Sequence, residues 1–160
     1  MPDELIFHMG KFEARFPTDR KYAKNHMWAK LRDEVPEAGG DERLWQFGFS
    51  AYAVRLLQDV YFLDWMIDSG AALKERQAIG NIESSKAESE LYAPVAGTLT
   101  EFNQELLTDP SGINVDKYGG GWLFSMVSSG ESLLSPDDYL KHLESAWKVA
   151  ERTIKGQMNE

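Results

Sequence analysis

Two short apolar segments, residues 78–82 and 91–95, flank the small and polar run Glu83-Ser84-Ser85-Lys86-Ala87-Glu88-Ser89-Glu90. Each segment is too short for an ordinary helix, and two such segments joined by polar residues make a β-hairpin. A two-residue tip at Ser85-Lys86 sets Ile79 opposite Tyr92 and Glu83 opposite Glu88. The first is a favourable aromatic–branched pair, whereas the second places like charges face to face. Ser-Lys is also a poor tight-turn dipeptide, where Asn-Gly or Asp-Gly is preferred. Local stability therefore did not select these residues. The hairpin reads as a device that presents the amine of Lys86, although a lysine in a polar turn is ordinarily only a solvated surface group.

The remaining segments are of the same short kind. Residues 28–32, 44–49, 60–65, 97–103 and 122–127 read as strands, with an evident loop over 35–41 and a turn at Gly70. Ser50 is placed to cap a short helix over 51–58 that turns Tyr52, Leu56 and Leu57 inward, and residues 105–107 form a helical turn. At the N-terminus Phe12, Ala14 and Phe16 alternate with Glu13 and Arg15, the period of a half-buried strand, until Pro17-Thr18-Asp19 breaks it. Ser135-Pro136-Asp137-Asp138 opens the clearest helix, with the serine as cap, proline at the first helical position and two aspartates complementing the dipole. Tyr139, Leu140, Leu143, Ala146, Trp147, Ala150 and Ile154 form its apolar stripe. Many short strands with regular turns define a mainly β sandwich or barrel, with a short internal helix and a C-terminal helix. The 160 residues divide into an N-terminal arm over 1–21, one domain over 22–134, and a C-terminal helix over 135–160 packed on that domain.

The hairpin sequence Glu83-Ser84-Ser85-Lys86-Ala87, followed by Tyr92-Ala93-Pro94-Val95-Ala96-Gly97, resembles the lipoyl-attachment hairpin of the glycine cleavage system H protein family. Tyr22-Ala23-Lys24-Asn25-His26-Met27-Trp28 and Gly48-Phe49-Ser50-Ala51-Tyr52-Ala53 resemble its two leading motifs. Asn103-Gln104-Glu105-Leu106-Leu107, Asp109-Pro110, Ile113-Asn114 and Tyr118-Gly119-Gly120-Gly121-Trp122-Leu123-Phe124 follow in its order and spacing. Biotin carriers differ, with methionines on both sides of the lysine where this chain has Ser85 and Ala87. The resemblance implies the flattened β-barrel sandwich of lipoyl domains, with lipoate attached covalently to Lys86. It further implies that Glu83, Ser84, Ser85, Ala87 and Glu90 shape and identify the hairpin, while His26 and Met27 line the pocket in which the arm rests. Lysine and lipoyl together would reach about 12–14 Å.

Other chemistries are poorly supported. Apolar residues at 42% and aromatics at 12% describe a folded globule. A net charge of −9 speaks against nucleic acid and anionic membranes as partners and suits docking onto basic protein surfaces. The absence of cysteine excludes thiolate metal sites, disulfides and cysteine nucleophiles. His8, His26 and His142 lack metal-ligand spacing, and Gly119-Gly120-Gly121 reads as a turn because no helix start or phosphate-binding lysine follows it. No run is apolar enough to span a bilayer, and the acidic start is no signal peptide, so a cytoplasmic, monomeric and non-catalytic carrier is expected.

The pathway turns on one position. The family's His-Glu-Trp triplet, whose acidic member receives the ammonium of an aminomethyl cargo, is His26-Met27-Trp28 here. A thioether accepts no charged hydrogen bond, a loss of about 1.5–3 kcal/mol. Ser85 replaces the usual valine, Leu63-Asp64-Trp65 replaces Val-Glu-Leu, and an extra N-terminal arm is present, while the second acidic position is kept as Glu90. These departures resemble the H-like lipoate-binding proteins of heterodisulfide-reductase-like sulfur oxidation, in which the arm carries sulfur. The partners then expected are a lipoate ligase or lipoyl transferase and a heterodisulfide-reductase-like complex. The alternative is a glycine cleavage H protein serving glycine decarboxylase, aminomethyltransferase and dihydrolipoamide dehydrogenase. An unmodified interaction module is a third reading, which the intact Lys86 hairpin disfavours.

Overall fold

Alternation of side chains along the strands sorts this chain into two cores. The computed structural model describes residues 3–34 and 41–158, with no side chains described for 33, 34 and 153–158. Strands β1 (Glu4–Met9) and β2 (Phe12–Pro17) form an antiparallel hairpin. A six-stranded sheet follows the order β3 (Lys21–Tyr22), β4 (Met27–Glu34), β5 (Arg43–Phe49), β11 (Phe124–Ser128), β10 (Gly97–Phe102), β7 (Ala72–Leu73). A three-stranded sheet has the order β6 (Val60–Trp65), β8 (Ala78–Ser84), β9 (Glu88–Tyr92). The helices are α1 (Ala51–Leu57), α2 (Gln104–Thr108), α3 (Gly112–Val115) and α4 (Pro136–Met158).

The first core lies between the two larger sheets. Phe47, Phe49, Leu99, Phe124 and Met126 of one join Val60, Leu63, Ile79, Ile82 and Leu91 of the other. Along β4 the pleat sends Met27 and Ala29 into this core and Trp28 to the opposite face. Trp28 is paired with Gly48, and a Cβ at Gly48 would lie 2.6 Å from the Trp28 ring. Only glycine lets the two strands and the indole share that space.

The second core is built where the N-terminal hairpin, α1 and α4 meet. Ala14 and Phe16 of β2 are fully enclosed there with Tyr22, Trp28, Tyr52, Tyr139 and Leu143. The expected strand over 12–16 is thus real, extends to Pro17, and is half of a hairpin whose other strand, β1, carries too weak an alternation to read in sequence. Tyr139 stands at the centre. Its ring stacks on Tyr22 at 4.6 Å and meets Phe16 edge-on at 5.4 Å.

The start of α4 follows expectation, since the Asp138 N–H donates to Ser135 Oγ at 3.2 Å. Its stripe is less deeply buried than the spacing suggests. Tyr139 and Leu143 are enclosed, but Trp147 is only half-buried, edge-on to Tyr52 at 6.5 Å, and the Ile154 side chain lies outside the described residues. Ser50 precedes α1 without capping it by its side chain, because its hydroxyl is engaged with Tyr139. The Tyr118 hydroxyl accepts the Ala51 N–H at 2.8 Å in its place. Leu56, expected inside, is 38% exposed, since the helix is only two turns long and turns Ala51 and Tyr52 to the core. Helix α3 was not foreseen, and most of the expected loop, residues 35–40, lies outside the described residues.

Leu143→Ala should destabilise the fold by about 2–5 kcal/mol, and Trp147→Ala by clearly less, because a half-buried ring leaves no closed cavity. Denaturant midpoints of the two variants check the order, and a larger loss at Trp147 would contradict this packing.

Candidate functional site

The β8–β9 hairpin carries Lys86 at its tip, with Glu83 paired to Glu88 as the sequence predicts. Ile79 does not face Tyr92. A bulge between Ala78 and Gly80 slips the ladder by one residue, so that Ala78 faces Tyr92 and Ile79 turns into the first core. Gly80, at one end of the bulge, admits no side chain. A Cβ there would come within 2.5 Å of the Asp64 carbonyl and 2.9 Å of the Trp65 ring.

The unfavourable Ser-Lys turn is held from two directions. Inside it, the Ser84 N–H donates to the Ala87 carbonyl at 2.8 Å, and Ser84 Oγ lies 3.2 Å from the Ala87 nitrogen and 3.4 Å from that of Lys86. From the side, the Ser85 N–H donates to the Asp59 carbonyl at 2.9 Å, and the Asp59 N–H donates to Ser85 Oγ at 3.1 Å. Ser84 is buried, Ser85 and Lys86 are exposed, and Ala87 is half-buried. Among the described residues nothing binds the Lys86 ammonium. The tip is fixed and the side chain it presents is free.

A groove of about 230 Å³ runs beside this hairpin. One wall is Ile82, Ser89, Glu90, Leu91 and Tyr92; the other is His26, Met27 and Phe49 with Ala53, Leu56 and Leu57 of α1, and Asn25 also borders it. The structure therefore brings His26, Met27 and Glu90 together; Glu83 does not line this groove but an adjoining open face, which it shares with Phe62, Asp64, Glu88 and Glu90. Met27 is 1% exposed, so its thioether adds to the apolar lining. Glu90 is exposed, and its charge, with a hydrogen bond, raises the Tyr92 hydroxyl above its ordinary value.

His26 adopts the left-handed conformation, with φ of 73°. It is held there by its carbonyl, which accepts the Ser50 N–H at 2.9 Å, and by its ring, whose Nδ1 is 2.9 Å from the Tyr139 hydroxyl. The same hydroxyl is 2.9 Å from Ser50 Oγ. Burial first, and the nearby His142 second, push the His26 imidazole down to about 4, so that it is neutral near pH 7. Asp59, Asn25, Ser50 and Tyr139 were not foreseen as parts of this site. Asn25 and Ser50 stand inside quoted motifs, but Asp59 and Tyr139 act through contacts 26 and 113 residues distant in the chain, for which no local signal exists. No group of side chains among the described residues could hold a metal ion, and no helix among them is long and apolar enough to cross a membrane.

A free lysine on a braced hairpin tip, beside an apolar groove with one carboxylate, is an arrangement that can bear a covalently tethered group. The glycine cleavage H-protein family profile matches residues 20–146. A glycine cleavage system H protein of Carboxydothermus hydrogenoformans is 36% identical over 132 residues, covering 80% of this chain and 94% of the relative. One of Rubrobacter xylanophilus is likewise 36% identical, covering 82% and 97%. The crystal structure of a glycine cleavage system H protein from Mycobacterium marinum superposes with a TM-score of 0.65 at 29% identity, covering 81% of this chain and 99% of that one. The chain belongs to the glycine cleavage H-protein family. Members of this family are non-catalytic carriers, and their cofactor is lipoate bound covalently to a lysine. The N-terminal hairpin lies before the matched region.

The neutral, half-buried His26 has a consequence for stability. Its pKa is about 4 in the fold against an ordinary 6.5, so the unfolded chain binds the extra proton first as pH falls. The His26 contribution is fully present above pH 6.5 and is lost progressively between about 6.5 and 4. Urea midpoints should fall more steeply across that window for the wild type than for His26→Gln. Parallel pH profiles would contradict the assignment.

Proposed function

We propose that this chain carries lipoate on Lys86 and serves a glycine cleavage system, taking an aminomethyl group from glycine decarboxylase to aminomethyltransferase. Dihydrolipoamide dehydrogenase reoxidises the carrier in this reading, and a lipoate ligase or lipoyl transferase loads it. The single observation that carries the proposal is the exposed, unpaired Lys86 on a tip anchored to Asp59, next to a groove that contains Glu90. The similarity to curated H proteins over about four-fifths of the chain supports the glycine cleavage assignment.

The residues present fit the cofactor. The groove offers apolar walls in Phe49, Ala53, Ile82 and Leu91, and small neighbours, Ser85 and Ala87, leave the Lys86 amine open to a modifying enzyme. When bound, the dithiolane supplies the redox and group-transfer chemistry. The chain's own contribution is position and environment. Lys86 anchors the arm, Ser84 and Asp59 fix its base, the apolar walls exclude water, and Glu90 offers a carboxylate to a cationic cargo. The neutral His26 adds no competing charge. Tethering makes each encounter with a partner active site a local search at high effective concentration.

One observation favours a second reading, sulfur carriage for a heterodisulfide-reductase-like complex. Met27 borders the groove at 1% exposure where the family resemblance leads one to expect a carboxylate, and a sulfur cargo needs no partner for an ammonium.

With a competent ligase and free lipoate, peptide mass analysis should find one lipoyl increment, on Lys86, that is lost in Lys86→Arg. An increment on another lysine, or none, would sink the carrier proposal. Glycine-dependent loading by glycine decarboxylase separates the two readings. Loading comparable with an ordinary H protein supports glycine cleavage; poor loading that Met27→Glu improves supports sulfur carriage.

A further inference from the structure

A second groove, of about 430 Å³, shares Asn25 and Tyr92 with the first and is otherwise unused by the carrier function. Its border reverses the sign of the molecule. On a chain of net charge −9, Lys24 and Arg76 meet His142 around one concavity. Among the described residues neither Lys24 nor Arg76 forms an ion pair, although carboxylates outnumber cations across the chain.

The groove is also built firmly. Arg76 adopts φ of 71°, a conformation that non-glycine residues rarely take and that persists only where the surroundings enforce it. Here its N–H donates to the Ala93 carbonyl at 2.9 Å, and the Ala93 N–H donates to the Gln77 carbonyl at 2.8 Å. On the opposite side His142 Nε2 is 3.0 Å from the Lys24 carbonyl, and Asn25 Nδ2 donates to the Tyr92 carbonyl at 3.0 Å. Between these anchors lie Tyr92, 43% exposed, and the largely covered Ala93 and Pro94. Two cationic residues bordering one concavity of this size, with an apolar wall, are the features of a small-molecule site.

We propose that this groove binds an organic anion, its carboxylate or phosphate head between Lys24 and Arg76 and its apolar body along Tyr92, Ala93 and Pro94. A bare inorganic ion would leave the apolar wall unused. Glu75 lies on the same border and opposes the two cations, so it limits affinity. The groove borders that of the arm at Asn25 and Tyr92, but the proposal does not require lipoylation, and its failure would leave the carrier reading untouched.

The unlipoylated chain, labelled with nitrogen-15, serves for the test. Octanoate and phenyl phosphate probe the two head groups on an apolar body, and inorganic phosphate probes the head alone. Saturable amide shifts at Arg76, Tyr92 and Ala93 are expected with at least one organic probe, and weaker ones with inorganic phosphate. Lys24→Gln with Arg76→Gln should weaken binding by about tenfold or more, the equivalent of one charge-assisted hydrogen bond. Glu75→Gln should tighten it. Lys24→Gln alone, at an exposed side chain without partners, guards against loss of fold in the double variant and should also weaken binding. Shifts that do not saturate with either organic probe, equal binding of inorganic phosphate, or affinity unchanged by removing both cations would overturn the proposal.

Discussion

The hydroxyl of Tyr139 is the point on which the rest of the site hangs. It lies 2.9 Å from both Ser50 Oγ and His26 Nδ1, and its ring is stacked on Tyr22 inside the second core. A buried hydroxyl without partners is costly, so this one must find acceptors and donors where it stands. It does so on the two segments that begin β4 and α1. Those segments supply opposite ends of one groove wall, His26 and Met27 from the first, Ala53, Leu56 and Leu57 from the second. Helix α4, distant in sequence, thereby sets the shape of a groove it does not line.

Tyr118 performs a parallel service from the other side. Its hydroxyl accepts the Ala51 N–H at 2.8 Å and donates to the Arg15 carbonyl at 2.7 Å, which joins the N-terminal hairpin to the first turn of α1. Burial raises this phenol to well above its ordinary value, so it stays protonated and able to donate. The hairpin that lies outside the family match is thus bonded to the element that walls the groove. Ala14 and Phe16 of its second strand are completely buried in the core that also encloses Ala51 and Tyr52, the kind of tertiary packing on which a two-turn helix such as α1 relies.

What could be read from sequence and what could not follow one physical division. The strand and turn order was legible because period and punctuation are local, as at 44–49, 60–65 and the Ser135-capped helix. The Lys86 hairpin was legible because its tip violates local preference, and the clamp from Asp59 is what permits the violation. Errors arose where a distant contact overrode a local rule. Ser50 looked like a cap and became a partner of Tyr139, 89 residues away. Ile79 looks like a cross-strand partner of Tyr92, but the ladder is bulged between Ala78 and Gly80, where the Asp64 carbonyl leaves no room for a side chain on Gly80. Trp147 obeys the helical period, yet the second core ends before reaching its full ring.

The paired bonds between Ser85 and Asp59 have a mechanical meaning. A loop tip that is loose in solution must be immobilised each time an enzyme engages it, and each immobilised residue subtracts from the affinity of that complex. With the arm on Lys86, as proposed, its base would be a stationary pivot before any partner arrives. The volume swept from Lys86 would then be a cap of fixed centre, and every client enzyme would meet the same origin of motion. Successive clients can then be distinguished by the surface surrounding that pivot, with no change in the pivot itself.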